Sequence, residues 1–190
     1  MRYFNKRLGD MKMSKKSIEN YPIQLKHILI IGFLSWLAMI GIDFFIHAGL
    51  LAKFYTNPSP FLLSPGDAFR LIPLGYLSFG ILAILLIWLM LRLNVVGWQK
   101  GLIFGLILGG LTWGSFILGL LSISTAETSL LLGWFLGQTF ELGIGGAVAG
   151  KGLSGYSLKK LFVIVFIGII ILVVLTITLQ SIGFAPSMRI

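Results

Sequence analysis

Three ionisable side chains lie deep within long apolar runs. Asp43 and His47 sit in GIDFFIHAG (41–49), and Glu141 sits in GQTFELG (137–143). Asp43 and His47 are four residues apart, so on a helix they share one face. A charge at mid-membrane costs about 2.5–3.5 kcal/mol on insertion scales, and such residues face the protein interior. Three chemistries fit these residue types. The acid and imidazole form a mutually satisfied pair that only helps packing. Alternatively they handle a proton or bind a cation, since imidazole titrates near neutrality. Or two carboxylates and one imidazole ligate a metal, although no paired-histidine motif accompanies them.

Helical spacing adds neighbours. Trp36, Ile40, Asp43 and His47 share one face of the first apolar run, and Trp134, Gln138, Glu141 and Gly145 share one face of the fourth. Counting from expected outer ends at Leu51 and Ser129, His47 lies about 6 Å deep, Asp43 about 12 Å, Gln138 about 13 Å and Glu141 about 18 Å. Trp113 falls at about 12–14 Å. The expectation is a layer of Asp43, Gln138 and Trp113, with His47 above it and Glu141 below. The sequence leaves open whether the two faces meet, and which metal, if any, would bind.

The elements that must position these residues are membrane helices. Of 190 residues 57% are hydrophobic and 11% charged, with a mean hydropathy of +0.97. An ordinary soluble domain has about a quarter charged residues. Five runs meet the length of about 20 residues needed for a bilayer crossing. They cover 28–51, 70–92, 101–122, 128–150 and 161–182. The predicted fold is an all-α polytopic bundle of five transmembrane helices over 27–183. A basic cytoplasmic tail (1–26) precedes it and a short outer tail (184–190) follows. The first run is longer than the roughly 7–15 residues of a cleavable signal core, so it reads as an uncleaved span.

The net charge of +9 does not point to nucleic acid. Seven of the fifteen Lys and Arg lie in the first 26 residues, and most others flank apolar runs. With the N-terminus inside, twelve cations fall on the inner side and three on the outer. That bias predicts a cytoplasmic N-terminus and an outer C-terminus. The basic clusters also suit anionic lipid.

Local signals mark the ends. SPGD (64–67) reads as a helix start, with Ser64 as N-cap, Pro65 at the first helical position and Asp67 at the third. Ser124 with Glu127 gives a similar signal. A surface helix is expected around Met13–Tyr21. Glycines are spaced for close helix packing: Gly101, Gly105 and Gly109 in the third run, and Gly133, Gly137 and Gly146 in the fourth. A short connection makes these two runs antiparallel neighbours. The last run is almost wholly aliphatic and suits lipid.

Several chemistries are excluded. There is no cysteine, so disulfides, thiolate sites and cysteine nucleophiles are absent. His27 and His47 lie on one helix about 30 Å apart, which rules out bis-histidine haem in one chain. GLSG (152–155) matches a serine-protease tetrad, but it falls in an inner loop away from any membrane histidine. No phosphate loop, dinucleotide fingerprint or zinc-protease motif occurs. No cofactor is required by the sequence.

IDFFIHAGLLAKFY (42–55), GLIFGLILGG (101–110) and GWFLGQTFELGIGGAVAG (133–150) resemble a family of small bacterial integral membrane proteins of unknown function. That family has Asp-Phe-x-x-His-x-x-Leu-Leu in its first span and Trp-Phe-x-Gly-x-x-x-Glu-x-x-x-x-Gly in its last. The likeness covers roughly residues 30–150 and falls on Asp43, Phe44, His47, Trp134, Gly137, Glu141 and Gly146. The family has four spans, so the fifth run and the basic tail depart from it. The resemblance implies no activity. It implies a bacterial inner-membrane location and that Asp43, His47 and Glu141 belong together.

Two functions therefore stand. The first is a non-enzymatic accessory or scaffold subunit that packs through its glycine faces in the lipid bilayer, in a homo-oligomer or a larger complex. The second is a small transporter or proton/cation-handling protein using Asp43, His47 and Glu141. A membrane enzyme ranks third, since no catalytic constellation is complete.

Overall fold

A computed structural model describes residues 24–56 and 60–186. Most of the basic tail, the surface helix expected at Met13–Tyr21 and the last four residues lie outside the described residues. The described chain is helical, with no strand among its elements. Helix α1 spans Leu25–Phe45 and runs directly into a π-helical turn, Ile46–Leu50. A short helix α2 (Ala52–Thr56) follows. Four long helices complete the bundle: α3 (Pro65–Arg92), α4 (Trp98–Ile123), α5 (Thr128–Leu153) and α6 (Leu158–Ser181).

Four segments are long and apolar enough to cross a membrane: Leu25–Leu50, Gly66–Arg92, Trp98–Ile123 and Leu158–Ser181. The fourth expected run forms α5, as long as α4 at 26 residues. It falls short on apolarity, because glycines together with Gln138 and Glu141 dilute its leucines.

The start of α3 follows local chemistry. The Ser64 hydroxyl accepts the Asp67 N–H at 3.2 Å and donates to the Asp67 carboxylate at 2.6 Å. The start expected at Ser124 is corrected. Ser124 closes α4, its N–H donating to Leu120 O at 2.9 Å, and Glu127 occupies the N-cap of α5. The apolar pattern of α4 runs to Ile123, so the serine ends one helix and does not open the next.

Glycine organises the interior, and α5 carries two separate rows of it. One row meets α4 backbone to backbone. A Cβ on Gly101 would collide with Gly146 O, one on Gly105 with Leu142 O, and one on Gly146 with Gly101 O. Gly109 lies against Thr139, where a Cβ would come within 2.9 Å of its Cα. The second row receives side chains of α1 and of the turn that follows it: Leu51 at Gly133, Ile46 at Gly137, Met39 at Gly145 and Ile31 at Gly152. Numbers fall along α1 as they rise along α5, so the two helices are antiparallel. This corrects the assignment of Gly133 and Gly137 to the α4 contact. The half-turn between rows is invisible to a count of glycines.

Gly97, with φ +99°, makes the turn into α4 and donates its N–H to Gly150 O at 2.9 Å. This backbone is in the left-handed region that favours glycine. The apolar core forms where α1, α3 and α5 meet, around Ile31, Met39, Phe79, Leu86, Met90, Leu142 and Ala149. Helix α6 leans on α1 through Ile169 at Gly41 and Leu179 at Gly49. Its other face exposes Phe162, Phe166, Ile170 and Val174.

Candidate functional site

The site begins with the irregular end of α1. At Ile46–Leu50 the helix takes the π form, and the Leu51 N–H donates to Ile46 O, five residues back, at 2.7 Å. Such turns are rare and recur at functional sites. Here the turn is held from α6, whose Gln180 Nε2 donates to Ala48 O at 3.0 Å. The chain bends at Leu51 and resumes as α2, which returns the Tyr55 ring toward His47.

Four side chains meet His47. Its Nδ1 lies 2.5 Å from the Tyr55 hydroxyl. Its Nε2 lies 3.5 Å from Asp43 Oδ1, 3.6 Å from Glu141 Oε1 and 3.3 Å from Gln138 Nε2. One ligand atom each from Asp43, His47 and Glu141 all lie within 4.8 Å of one another. Trp134 completes an outer bond, its Nε1–H donating to the Tyr55 oxygen at 2.6 Å.

The donor and acceptor roles at His47 depend on which ring nitrogen carries the hydrogen. With the hydrogen on Nδ1, His47 donates to Tyr55, whose oxygen also accepts from Trp134. The Gln138 amide then donates to Nε2, and the Nε2 lone pair faces both carboxylates. Burial pushes the Tyr55 phenol up, opposed in part by the Trp134 bond, so it stays an uncharged hydroxyl.

Burial is uneven. Asp43 and His47 keep 15% and 20% of their side chains accessible, while Glu141 is wholly buried. Neither carboxylate oxygen of Glu141 has a hydrogen-bond partner among the described residues. A buried ionised carboxylate without a partner is expensive. This position therefore calls for a proton or a bound cation.

The layered arrangement expected from depth counting is corrected. Asp43, His47, Gln138 and Glu141 converge on one point, with no histidine layer above and glutamate layer below. The count assumed a regular rise to Leu51, whereas a π turn occupies Ile46–Leu50 and the chain bends at Leu51. Trp113 takes no part in these polar contacts. Among the described residues its Nε1 has no hydrogen-bond partner, and its ring packs edge-on to Phe116 at 5.5 Å. Trp36 turns to α3, donating its Nε1–H to Tyr76 O at 2.7 Å. Tyr55 was missed, because it follows a broken helix and precedes a proline-rich loop. Its signal was the helical continuation LLAKFY after His47.

No protein-family model matches the chain. Comparison with curated proteins and with solved structures likewise gives no match. The resemblance noted above therefore rests on its three short motifs alone.

Proposed function

We propose that this protein binds and passes a cation, a proton or a metal ion, within the bilayer through Asp43, His47 and Glu141. The observation that carries the reading is Glu141: fully buried, both oxygens unpartnered, and 3.6 Å from an imidazole that also meets Asp43. Polar residues at such depth mark ion or proton pathways. The partial accessibility of Asp43 and His47 gives the buried acid a polar approach.

The reading takes α5 as a fifth crossing, with the N-terminus inside and the C-terminus outside, in a bacterial inner membrane. Its length, its antiparallel seat between α1 and α4, and the distribution of cations support this. Its polar residues point at α1 instead of lipid, which relieves their insertion cost.

The accessory or scaffold reading drew on the glycine faces and on the apolar last run. Those faces are filled within the chain. Its remaining support is the exposed apolar surface of α3 and α6, which lipid covers equally well.

Proteoliposomes loaded with a pH dye or a metal-sensitive dye test the proposal. Wild-type protein should move one of these cations well above empty vesicles, and Glu141→Gln should reduce the flux at least tenfold. Flux of neither cation from folded wild-type protein would end the reading.

A further inference from the structure

We infer that the cation is a divalent transition-metal ion held by the Asp43 carboxylate, His47 Nε2 and the Glu141 carboxylate. This rests on the cation-binding reading above and names its occupant. The argument starts from spacing. The Nε2–carboxylate separations of 3.5 and 3.6 Å are too long for hydrogen bonds. They match the edge of a coordination shell: ligands about 2.0–2.1 Å from a tetrahedral ion stand about 3.4 Å apart.

Charge gives the valence. Two carboxylates face one imidazole, and among the described residues His47 is the only basic side chain within 4.0 Å of either. A divalent ion neutralises both carboxylates. A monovalent ion or a single proton leaves one negative charge in a low-dielectric interior. Ligand type narrows the metal. Imidazole with carboxylates suits zinc, manganese, iron or cobalt, whereas magnesium and calcium favour all-oxygen shells.

The surroundings fit the same occupant. Both oxygens of the fully buried Glu141 are unpartnered, and Oε1 lies 3.6 Å from the His47 ring nitrogen. On the other side of the ring, the Tyr55 hydroxyl pairs with Nδ1, so with the hydrogen on Nδ1 the ring turns its Nε2 lone pair to the two carboxylates, the usual outer-shell device at metal-bound histidines. Three protein ligands leave an open coordination position, as in exchangeable sites and not closed structural ones. The Gln138 amide nitrogen lies 3.3 Å from Nε2 and gives way when an ion takes that lone pair.

The test uses the full chain, purified into nanodiscs, stripped with chelator and titrated with cobalt(II). Wild-type protein should bind one ion per chain, develop the visible absorption of cobalt in a nitrogen–oxygen shell, and lose it on adding zinc. Glu141→Gln and His47→Gln should each weaken binding at least tenfold. Tyr55→Phe should weaken it about 10- to 100-fold while keeping one ion per chain. The lipid-facing Trp88→Phe should bind as wild type does. Folded wild-type protein that takes up no stoichiometric cobalt or zinc overturns the inference. If such protein still carries protons in vesicles, the cation reading survives with a proton as occupant. Stoichiometric metal binding without flux upholds the inference and ends the transport reading.

Discussion

His47 and Glu141 come from different helices, yet His47 Nε2 and Glu141 Oε1 lie 3.6 Å apart across the α1–α5 interface. The glutamate has no other ion-pair partner within 4.0 Å among the described residues and no hydrogen bond. The apo protein therefore carries a buried acid that only a proton or a cation satisfies. Glu141→Gln removes that demand along with the ligand. It should leave the apo protein at least as stable, and abolish stabilisation by added metal. In wild-type protein, metal at 100 times its Kd should add about 2.7 kcal/mol. Thermal unfolding with and without zinc measures both effects. An equal zinc-induced rise in Tm for wild type and Glu141→Gln would contradict the assignment.

The glycine rows give a prediction of opposite sign at neighbouring positions. Gly101→Ala or Gly146→Ala drives a Cβ into a facing backbone carbonyl, so α4 and α5 must separate. Overpacking of this kind costs about 1–3 kcal/mol. Gly110→Ala, on the same helix as Gly101, meets nothing within 4 Å among the described residues. It should be neutral or stabilising by up to about 1 kcal/mol, from helix propensity alone. Unfolding in a denaturing detergent series ranks the three variants, and equal destabilisation by all of them would sink the packing account.

The crossing of α5 is testable because the chain has no cysteine. Ala126→Cys and Ser154→Cys place single thiols just beyond its two ends. In intact cells an impermeant maleimide should label position 126 and spare position 154 until the membrane is permeabilised. Labelling of both in intact cells would remove the fifth span.

Much of this arrangement was legible in composition and spacing, because membrane helices are fixed by apolar length and by little else. Asp43, His47 and Glu141 stood out as the few ionisable residues in apolar sequence. Their convergence could not be read, since it depends on a π turn that periodicity of 3.6 does not describe. The same turn hid Tyr55, which reaches His47 only because the chain bends at Leu51. Gly133 and Gly137 were assigned to the wrong neighbour because small-residue spacing shows that a helix is approached closely, and not by which partner. Trp113 shared an expected depth with Asp43 and Gln138, but depth carries no information on which way a ring points.

Tyr55 joins two ring nitrogens, His47 Nδ1 and Trp134 Nε1. Tyr55→Phe leaves both without this partner, at a cost of about 1–3 kcal/mol for buried groups left unsatisfied. Much of that cost should disappear in Tyr55→Phe/Trp134→Phe, which removes the orphaned indole donor as well. A double-mutant cycle in thermal stability reads the coupling, and strict additivity would mean that the three rings do not form one chain.

The last prediction concerns pH. A metal takes the Nε2 lone pair and ionised carboxylates, so any proton on those atoms must leave before it binds. Binding therefore releases protons, and acidification opposes it. Affinity should fall by roughly tenfold per pH unit for each proton displaced. The stabilisation conferred by metal is then present near neutral pH and lost as pH falls. Calorimetric titration with zinc in two buffers of different ionisation enthalpy counts the released protons directly. Proton release should vanish in His47→Gln/Glu141→Gln, and a wild-type affinity unchanged between pH 8 and pH 5 would exclude ligation by these side chains.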